Sequence, residues 1–248
     1  MFAATSGDGP PVLFLHGGGV SGWMWGPVLA QLSGEVRALV PDLPGHGQSA
    51  THPYRSHRET LGELLTLIRR AAPGGVVVVG FSLGAQLAVL LASAAPELVR
   101  SAVLISGEAI PAPLPRTTLA ALRASAPLAS VEWFARAQAR QLGVPAEFLP
   151  DYVRDSRAIT PDTLISAVGA NIRFTPPPAW SEYGGEVTVL VGSRERKLML
   201  DSARLLAGDR IERRVTVVPG AGHDLPFSRV EVVAGAVRTA LAHTEFPD

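Results

Sequence analysis

The sequence predicts an α/β fold: a doubly wound, mostly parallel sheet of about six to seven strands carrying a helical cap insertion. Three observations point there. Short, β-branched, mainly apolar runs recur along the chain, and each ends in a loop signal. Helical patterns occupy most of the intervals between them. One long interval, residues 108–183, contains helical patterns but no convincing strand.

The runs are Val12–Leu15, Val36–Val40, Val76–Val79, Ala102–Ile105, Val187–Val191 and Val215–Val218. Short runs with apolar residues on both faces are how strands of a helix-covered parallel sheet read. Phe2–Thr5 adds a short edge strand. Helices are expected over Trp25–Leu32, Arg58–Ala72, Ser82–Ala94, Asp201–Ala207 and Glu231–His243. In the second of these, Leu61, Leu64, Leu65 and Ile68 fall at i, i+3, i+4 and i+7, which gathers them on one face. The third is apolar nearly all round, so it is expected to be buried. Right-handed connections between these elements give a core of residues 1–107 and 184–248. Residues 108–183 enter through Pro111, Pro113 and Pro115 and leave through Pro176-Pro177-Pro178. Between them lie helical stretches near Thr117–Ser125, Val131–Leu142, Ala146–Arg157 and Pro161–Arg173. A structureless loop of this length is uncommon in a compact domain, so the segment reads as a helical insertion over one end of the sheet.

Composition narrows the function. The chain has 248 residues, 47% of them hydrophobic and 18% charged, which excludes disorder as its dominant state. Lys+Arg and Asp+Glu are both 22, so a neutral chain has no electrostatic reason to seek nucleic acid or anionic lipid. There is no cysteine, which removes disulfides, thiolate metal sites and a Cys nucleophile. Residues 1–11 carry no positive charge and no apolar run of signal-peptide length, and no apolar run reaches the roughly 18 residues of a spanning helix. The expectation is a cytoplasmic protein with a small-molecule substrate, as a monomer or homodimer, without nucleic-acid or membrane partners.

The most specific local feature is Gly80-Phe81-Ser82-Leu83-Gly84, directly after the valine strand and directly before a helix. That is the strand–turn–helix setting a G-x-S-x-G nucleophile requires. At such a sharp turn, side chains at Gly80 and Gly84 would collide with the neighbouring helix and strand, and the Ser82 hydroxyl is held clear of the sheet. The start of the helix also leaves unpaired N–H groups beside it, that of Leu83 among them. A hydroxyl is a weak nucleophile at neutral pH and needs a base. His223 fits, in the loop Gly220-Ala221-Gly222-His223 after the last strand. His16 and His46 sit in glycine-flanked loops, where a histidine more often braces the backbone. His52, His57 and His243 read as surface residues. No histidine–carboxylate spacing of ligand type is present, so no metal is expected.

Four motifs in order, His16-Gly17-Gly18-Gly19, Asp42-Leu43-Pro44-Gly45-His46-Gly47-Gln48-Ser49, Gly80-Phe81-Ser82-Leu83-Gly84 and Gly220-Ala221-Gly222-His223, resemble the α/β-hydrolase fold superfamily in its small, cofactor-free, capped branch. The resemblance implies Ser82 as nucleophile, His223 as base, and the insertion as a lid over the site. It also implies an oxyanion hole made by the N–H of Leu83 and one from the triple-glycine loop, Gly18 first and Gly19 next. The family usually places an aspartate after the penultimate strand. Here that loop reads Gly192-Ser193-Arg194-Glu195-Arg196-Lys197, so Glu195 is the expected acid. Glu108, after the Ala102–Ile105 strand, is the alternative; Asp201 is more distant and Asp224 is too close to His223 in sequence.

These residues predict acyl transfer to Ser82 followed by hydrolysis. Trp23, Met24 and Trp25, with Phe81 and with Trp133, Phe134, Phe148 and Tyr152 from the insertion, predict a mostly apolar pocket; Trp23, Phe81 and Trp133 are the named substrate-binding candidates. Such a pocket suits a small to medium uncharged carboxylic ester or lactone. Arg116, Arg123, Arg136 and Arg140 either bind a carboxylate or form solvated helix faces. Fold alone does not fix function. A C–C bond hydrolase or lyase using the same Ser–His pair, and a non-catalytic ligand-binding or sensor protein, remain alternatives. Dehalogenase and epoxide-hydrolase readings are disfavoured because those relatives carry Asp where this chain has Ser82.

Overall fold

A computed structural model of the chain describes residues 1–126, 128 and 131–246. Residues 127, 129 and 130, inside the expected insertion, and 247–248 lie outside that description. The described strands are β1 (Ala3–Ser6), β2 (Pro11–Leu15), β3 (Arg37–Pro41), β4 (Val76–Phe81), β5 (Val99–Ile105), β6 (Glu186–Gly192) and β7 (Arg213–Val218). They form one seven-stranded sheet in the order β1-β3-β2-β4-β5-β6-β7. β1 runs antiparallel to β3, and every other pairing is parallel.

Alternation along the strands explains the valine runs. Val76 and Val78 point to one face of the sheet, Val77 and Val79 to the other, and all four are fully buried. The first face packs Leu13, Leu15 and Leu104 against α2 (His57–Ala71), α3 (Leu83–Ala94) and α8 (Lys197–Ala207). The second packs Val12, Phe14 and Val103 against α1 (Gly26–Gln31) and α10 (Val230–Ala242). Burying a side chain of this size contributes about 1.5–3 kcal/mol. The start of α2 is fixed by Ser56, whose Oγ accepts the Glu59 N–H at 3.2 Å.

The parallel register sets the place of the site. Leu15, Gly80, Leu104 and Val189 lie side by side across β2, β4, β5 and β6. The loops that follow these strands therefore emerge together at the carboxyl edge of the sheet, where open α/β sheets bind ligands.

The insertion contributes α4 (Pro115–Ser125), α5 (Glu132–Gln141), α6 (Leu149–Ala158) and α7 (Pro161–Asn171). Its exit is pinned by Arg213 of β7. That buried guanidinium lies 4.3 Å from the Trp180 ring centre and donates to the carbonyls of Trp180, Leu206 and Tyr183.

Some expectations need correction. The run ending at Val218 is not buried on both faces, because β7 is an edge strand and Val217 is 45% exposed. α8 begins at Lys197 rather than Asp201, and Lys197 and Arg204 both pair with Asp201 along its first turns. A short helix, α9 (Leu225–Ser228), follows the His223 loop and carries no periodic signal. His57 is not a plain surface residue; its ring bonds to Tyr54 and, at 2.9 Å, to Gln86.

Candidate active site

Ser82 stands between β4 and α3 with φ 53° and ψ −112°, a backbone region an L-residue occupies only under constraint. The constraint is the packing of the two glycines. A Cβ on Gly80 would run into the Gly84 carbonyl, and one on Gly84 into the Leu15 carbonyl. The helix can thus start immediately after the strand, with Ser82 at the crest of the turn.

His223 and Glu195, the candidate base and acid, come from neighbouring loops that are laced together. The Arg194 N–H donates to the Ala221 carbonyl at 2.9 Å, and the Gly220 N–H donates to Ser193 Oγ at 2.9 Å. Across this junction His223 Nδ1 lies 2.9 Å from Glu195 Oε2. A carboxylate only accepts, so Nδ1 carries the proton and Nε2 is left as the basic nitrogen. The Glu195 side chain is 2% exposed. Its Oε1 accepts from Ser106 Oγ at 2.7 Å and from the Gly192 N–H at 3.0 Å. Burial opposes ionisation of Glu195, yet the hydrogen bonds from His223, Ser106 and Gly192 outweigh it and hold the carboxyl below its ordinary value.

Glu108, the other acid expected here, makes no hydrogen bond to His223 among the described residues. It lines the same cleft as Ser82, His223 and Glu195. Burial pushes its carboxyl up, against the opposing pull of Arg196 and His223. Asp201 is occupied by Lys197 and Arg204, and Asp224 caps the Gly222 N–H at 3.0 Å.

No hydrogen bond joins Ser82 to His223 among the described residues. The two line one cleft, and the Phe81 ring lies 4.9 Å from the imidazole. Nucleophile–base contacts of this kind are often long until substrate tightens them.

On the other side of Ser82 is a cavity of about 220 Å³, which Gly18, Gly19 and Leu83 also line. Most of its remaining wall comes from the insertion, including Leu142, Tyr152, Ile159, Leu164 and Val168. Ser82 and Asn171 border both spaces.

The triple-glycine loop is braced from two directions. His16 Nδ1–H donates to the Gly17 carbonyl at 2.7 Å, and His16 Nε2 accepts the Leu43 N–H at 2.9 Å. Burial and the adjacent His46 push His16 down to about 3, so it is a neutral strut. Asp42 Oδ1 accepts the Gly22 N–H at 2.8 Å. From the insertion, Asp155 Oδ2 accepts from Ser21 Oγ at 2.6 Å and from Trp23 Nε1 at 2.7 Å. Ser106, Ser21 and Asp155 were not singled out from sequence. Ser106 alone carried a signal, as the residue just after β5 and ahead of a glycine.

The aromatic candidates divide. Phe81 packs on the imidazole. Trp23 stacks on Phe148 and Phe227 at 5.5 and 6.0 Å and ties the insertion to the core, rather than lining the cavity beside Ser82. Trp133 is 66% exposed and outside that cavity wall, so its expected substrate contact is not what the structure places there. Arg136 pairs with Glu132 on an exposed helix face.

A serine on a strand–helix turn, backed by a His–Glu pair at the carboxyl edge of a mostly parallel sheet, defines a hydrolase-type α/β architecture. Residues 12–236 match the alpha/beta hydrolase family, and the chain belongs to it. It is 45% identical over 101 residues to an esterase of Mycobacterium tuberculosis, covering 40% of this chain and 33% of that one. It is 37% identical over 102 residues to the pimeloyl-(acyl-carrier protein) methyl ester esterase of Nitrosomonas europaea, covering 41% of this chain and 39% of the relative. The match thus spans two fifths or less of those relatives' length. Among solved structures, an esterase from Thermogutta terrifontis superposes with a TM-score of 0.80 at 22% identity, covering 97% of this chain and 92% of that one. The enol-lactonase from Burkholderia xenovorans gives a TM-score of 0.83 at 18% identity, covering 98% and 96%. Likeness at these identities concerns the fold. Among the described residues no helix is long and apolar enough to cross a membrane.

Proposed function

We propose that the protein is a serine hydrolase that cleaves a small to medium, mostly apolar carboxylic ester or lactone through an acyl-enzyme on Ser82. The observation that carries this reading is the 2.9 Å His223–Glu195 contact in the cleft that Ser82 also lines, which occupies Nδ1 and leaves Nε2 as the nitrogen free to accept a proton. His223 Nε2 takes the Ser82 proton as Oγ bonds to the carbonyl carbon. The N–H groups of Leu83 and Gly18 hold the developing oxyanion; losing one such donor costs about 10²–10³ in rate. Collapse breaks the carbon–oxygen bond to the leaving alcohol, which takes the proton from His223. Water then gives its proton to His223, attacks the acyl-enzyme and releases the acid and free Ser82. Glu195 fixes the tautomer and stabilises the imidazolium. The cavity of about 220 Å³ is below the roughly 300–1,000 Å³ of pockets for drug-sized ligands, which supports a short acyl group. The esterase names of the relatives agree with this chemistry.

A series of p-nitrophenyl esters of increasing acyl length tests it. Wild type is expected to turn over short acyl chains faster than long ones. Ser82→Ala is expected to lose about 10⁴-fold or more of the rate on all of them. Equal turnover by Ser82→Ala contradicts the reading.

A further inference from the structure

We propose that the cleft on the His223 side of Ser82 binds the alcohol portion of the ester, and that Glu108, with Arg196, selects an alcohol carrying further hydroxyl groups. This rests on the reading above, because it uses the direction in which the proton travels. His223 hands its proton to the leaving oxygen, so that oxygen lies on the imidazole side. The acyl chain then takes the opposite space, the largely apolar cavity beside Gly18 and Leu83. The two spaces differ sharply in chemistry. The acyl side carries Leu83, Leu142, Ile159, Leu164 and Val168 beside uncharged polar groups, whereas the imidazole side is lined by Glu108, Arg194, Glu195, Arg196 and His223.

Within that cleft Glu195 is committed to His223, Ser106 and Gly192, whereas the Glu108 carboxyl has an ion-pair neighbour in Arg196 but no side-chain hydrogen bond among the described residues. Its side chain is 8% exposed. Oε1 is sealed from solvent with no hydrogen-bond partner among the described residues. Oε2 lies 3.9 Å from Arg196 Nη2, beyond hydrogen-bond distance. The backbone that carries the carboxyl is nevertheless held. Gln86 Nε2 donates to the Glu108 carbonyl at 2.8 Å, and the next N–H, that of Ala109, donates to Ser202 Oγ at 3.0 Å. A buried acceptor without a hydrogen bond, facing an exposed guanidinium, suits a group that both donates and accepts. A hydroxyl does this: its hydrogen goes to Glu108 Oε2, the oxygen beside Arg196, and its lone pair faces the Arg196 guanidinium. An anionic alcohol would meet the Glu108 carboxylate, and a plain alkyl group would offer neither side chain a hydrogen bond.

The test compares glyceryl monobutanoate with propyl butanoate, which share an acyl group and differ by two hydroxyls. The kcat/KM ratio is divided by the ratio of their alkaline hydrolysis rates. Wild type is expected to favour the glyceryl ester at least about tenfold, mainly through KM. Glu108→Leu is expected to bring the ratio to about one, and Glu108→Gln, which still accepts, to recover part of it. Arg196 is exposed, so Arg196→Met tests the same cleft without touching the core, and a drop of about threefold in the ratio is expected. A wild-type ratio near one, or a ratio unmoved by Glu108→Leu and Arg196→Met, overturns the inference. p-Nitrophenyl butanoate separates the two levels: if wild type cleaves it while the ratio is near one, only the inference falls, and if wild type does not cleave it, the hydrolase reading falls as well.

Discussion

The sheet edge and the insertion hold their halves of the site by different means. At the sheet edge, strand ends are in register and glycines let backbone meet backbone, so Ser82, Glu195 and His223 are placed by the main chain itself. The insertion reaches the core through side chains. Asp155 grips Ser21 and Trp23, and Trp23 stacks on Phe148. Placement by backbone leaves little freedom to vary and is suited to chemistry. Placement by side chains can be rebuilt residue by residue and is suited to shaping a substrate pocket. The junction between the two is Asp155, a group of the insertion that fixes the loop carrying Gly18.

That contrast orders the expected effects. Gly84→Ala strikes the backbone half. Its Cβ would enter the Leu15 carbonyl, which cannot move without shifting β2. A loss of about 3 kcal/mol is expected, lowering Tm by about 6–12 °C. Thermal unfolding checks this, and a Tm within 2 °C of wild type would break the claim that backbone contact holds the turn (a shift of about 1 kcal/mol or less). Asp155→Ala strikes the junction. It leaves Ser21 and Trp23 without their acceptor and loosens the Gly18 loop. A fall of about tenfold in kcat on a short p-nitrophenyl ester is expected, with KM changing less, because misplacing an oxyanion donor acts in the transition state. Asp155→Asn, which still accepts from Ser21 and Trp23, should recover most of it. Steady-state kinetics on both variants decides; a change confined to KM would sever the insertion from the oxyanion hole.

The same contrast explains what the sequence revealed. The four valines of β4 and the paired glycines around Ser82 are local signals of backbone placement, and the sheet, its order of loops and the position of the serine follow from them. Glu195 was the expected acid from its loop after the penultimate strand, with Glu108 as the alternative, and no local signal separated the two further. Both follow strand ends at one edge of the sheet, and only the fold turns Glu195 onto the imidazole while leaving Glu108 facing Arg196. The insertion was legible as four helical stretches but not in its packing. Amphipathic periodicity shows which residues share a face, not how far each helix is rotated against its neighbour. Trp133 therefore looked like a pocket residue and is exposed, while Trp23 looked like one and instead binds Asp155. Asp155 itself had no telling pattern around it, because Ser21 and Trp23, the core groups it holds, lie more than 130 positions away.

The central claim is that Ser82 is the nucleophile activated by His223. It is tested most directly by intact-protein mass after treatment with a serine-directed phosphonate probe. Wild type is expected to gain one probe adduct, mapped to Ser82 on digestion, and Ser82→Ala to gain none. Absence of an adduct on wild type, or an equal adduct on Ser82→Ala, contradicts the account.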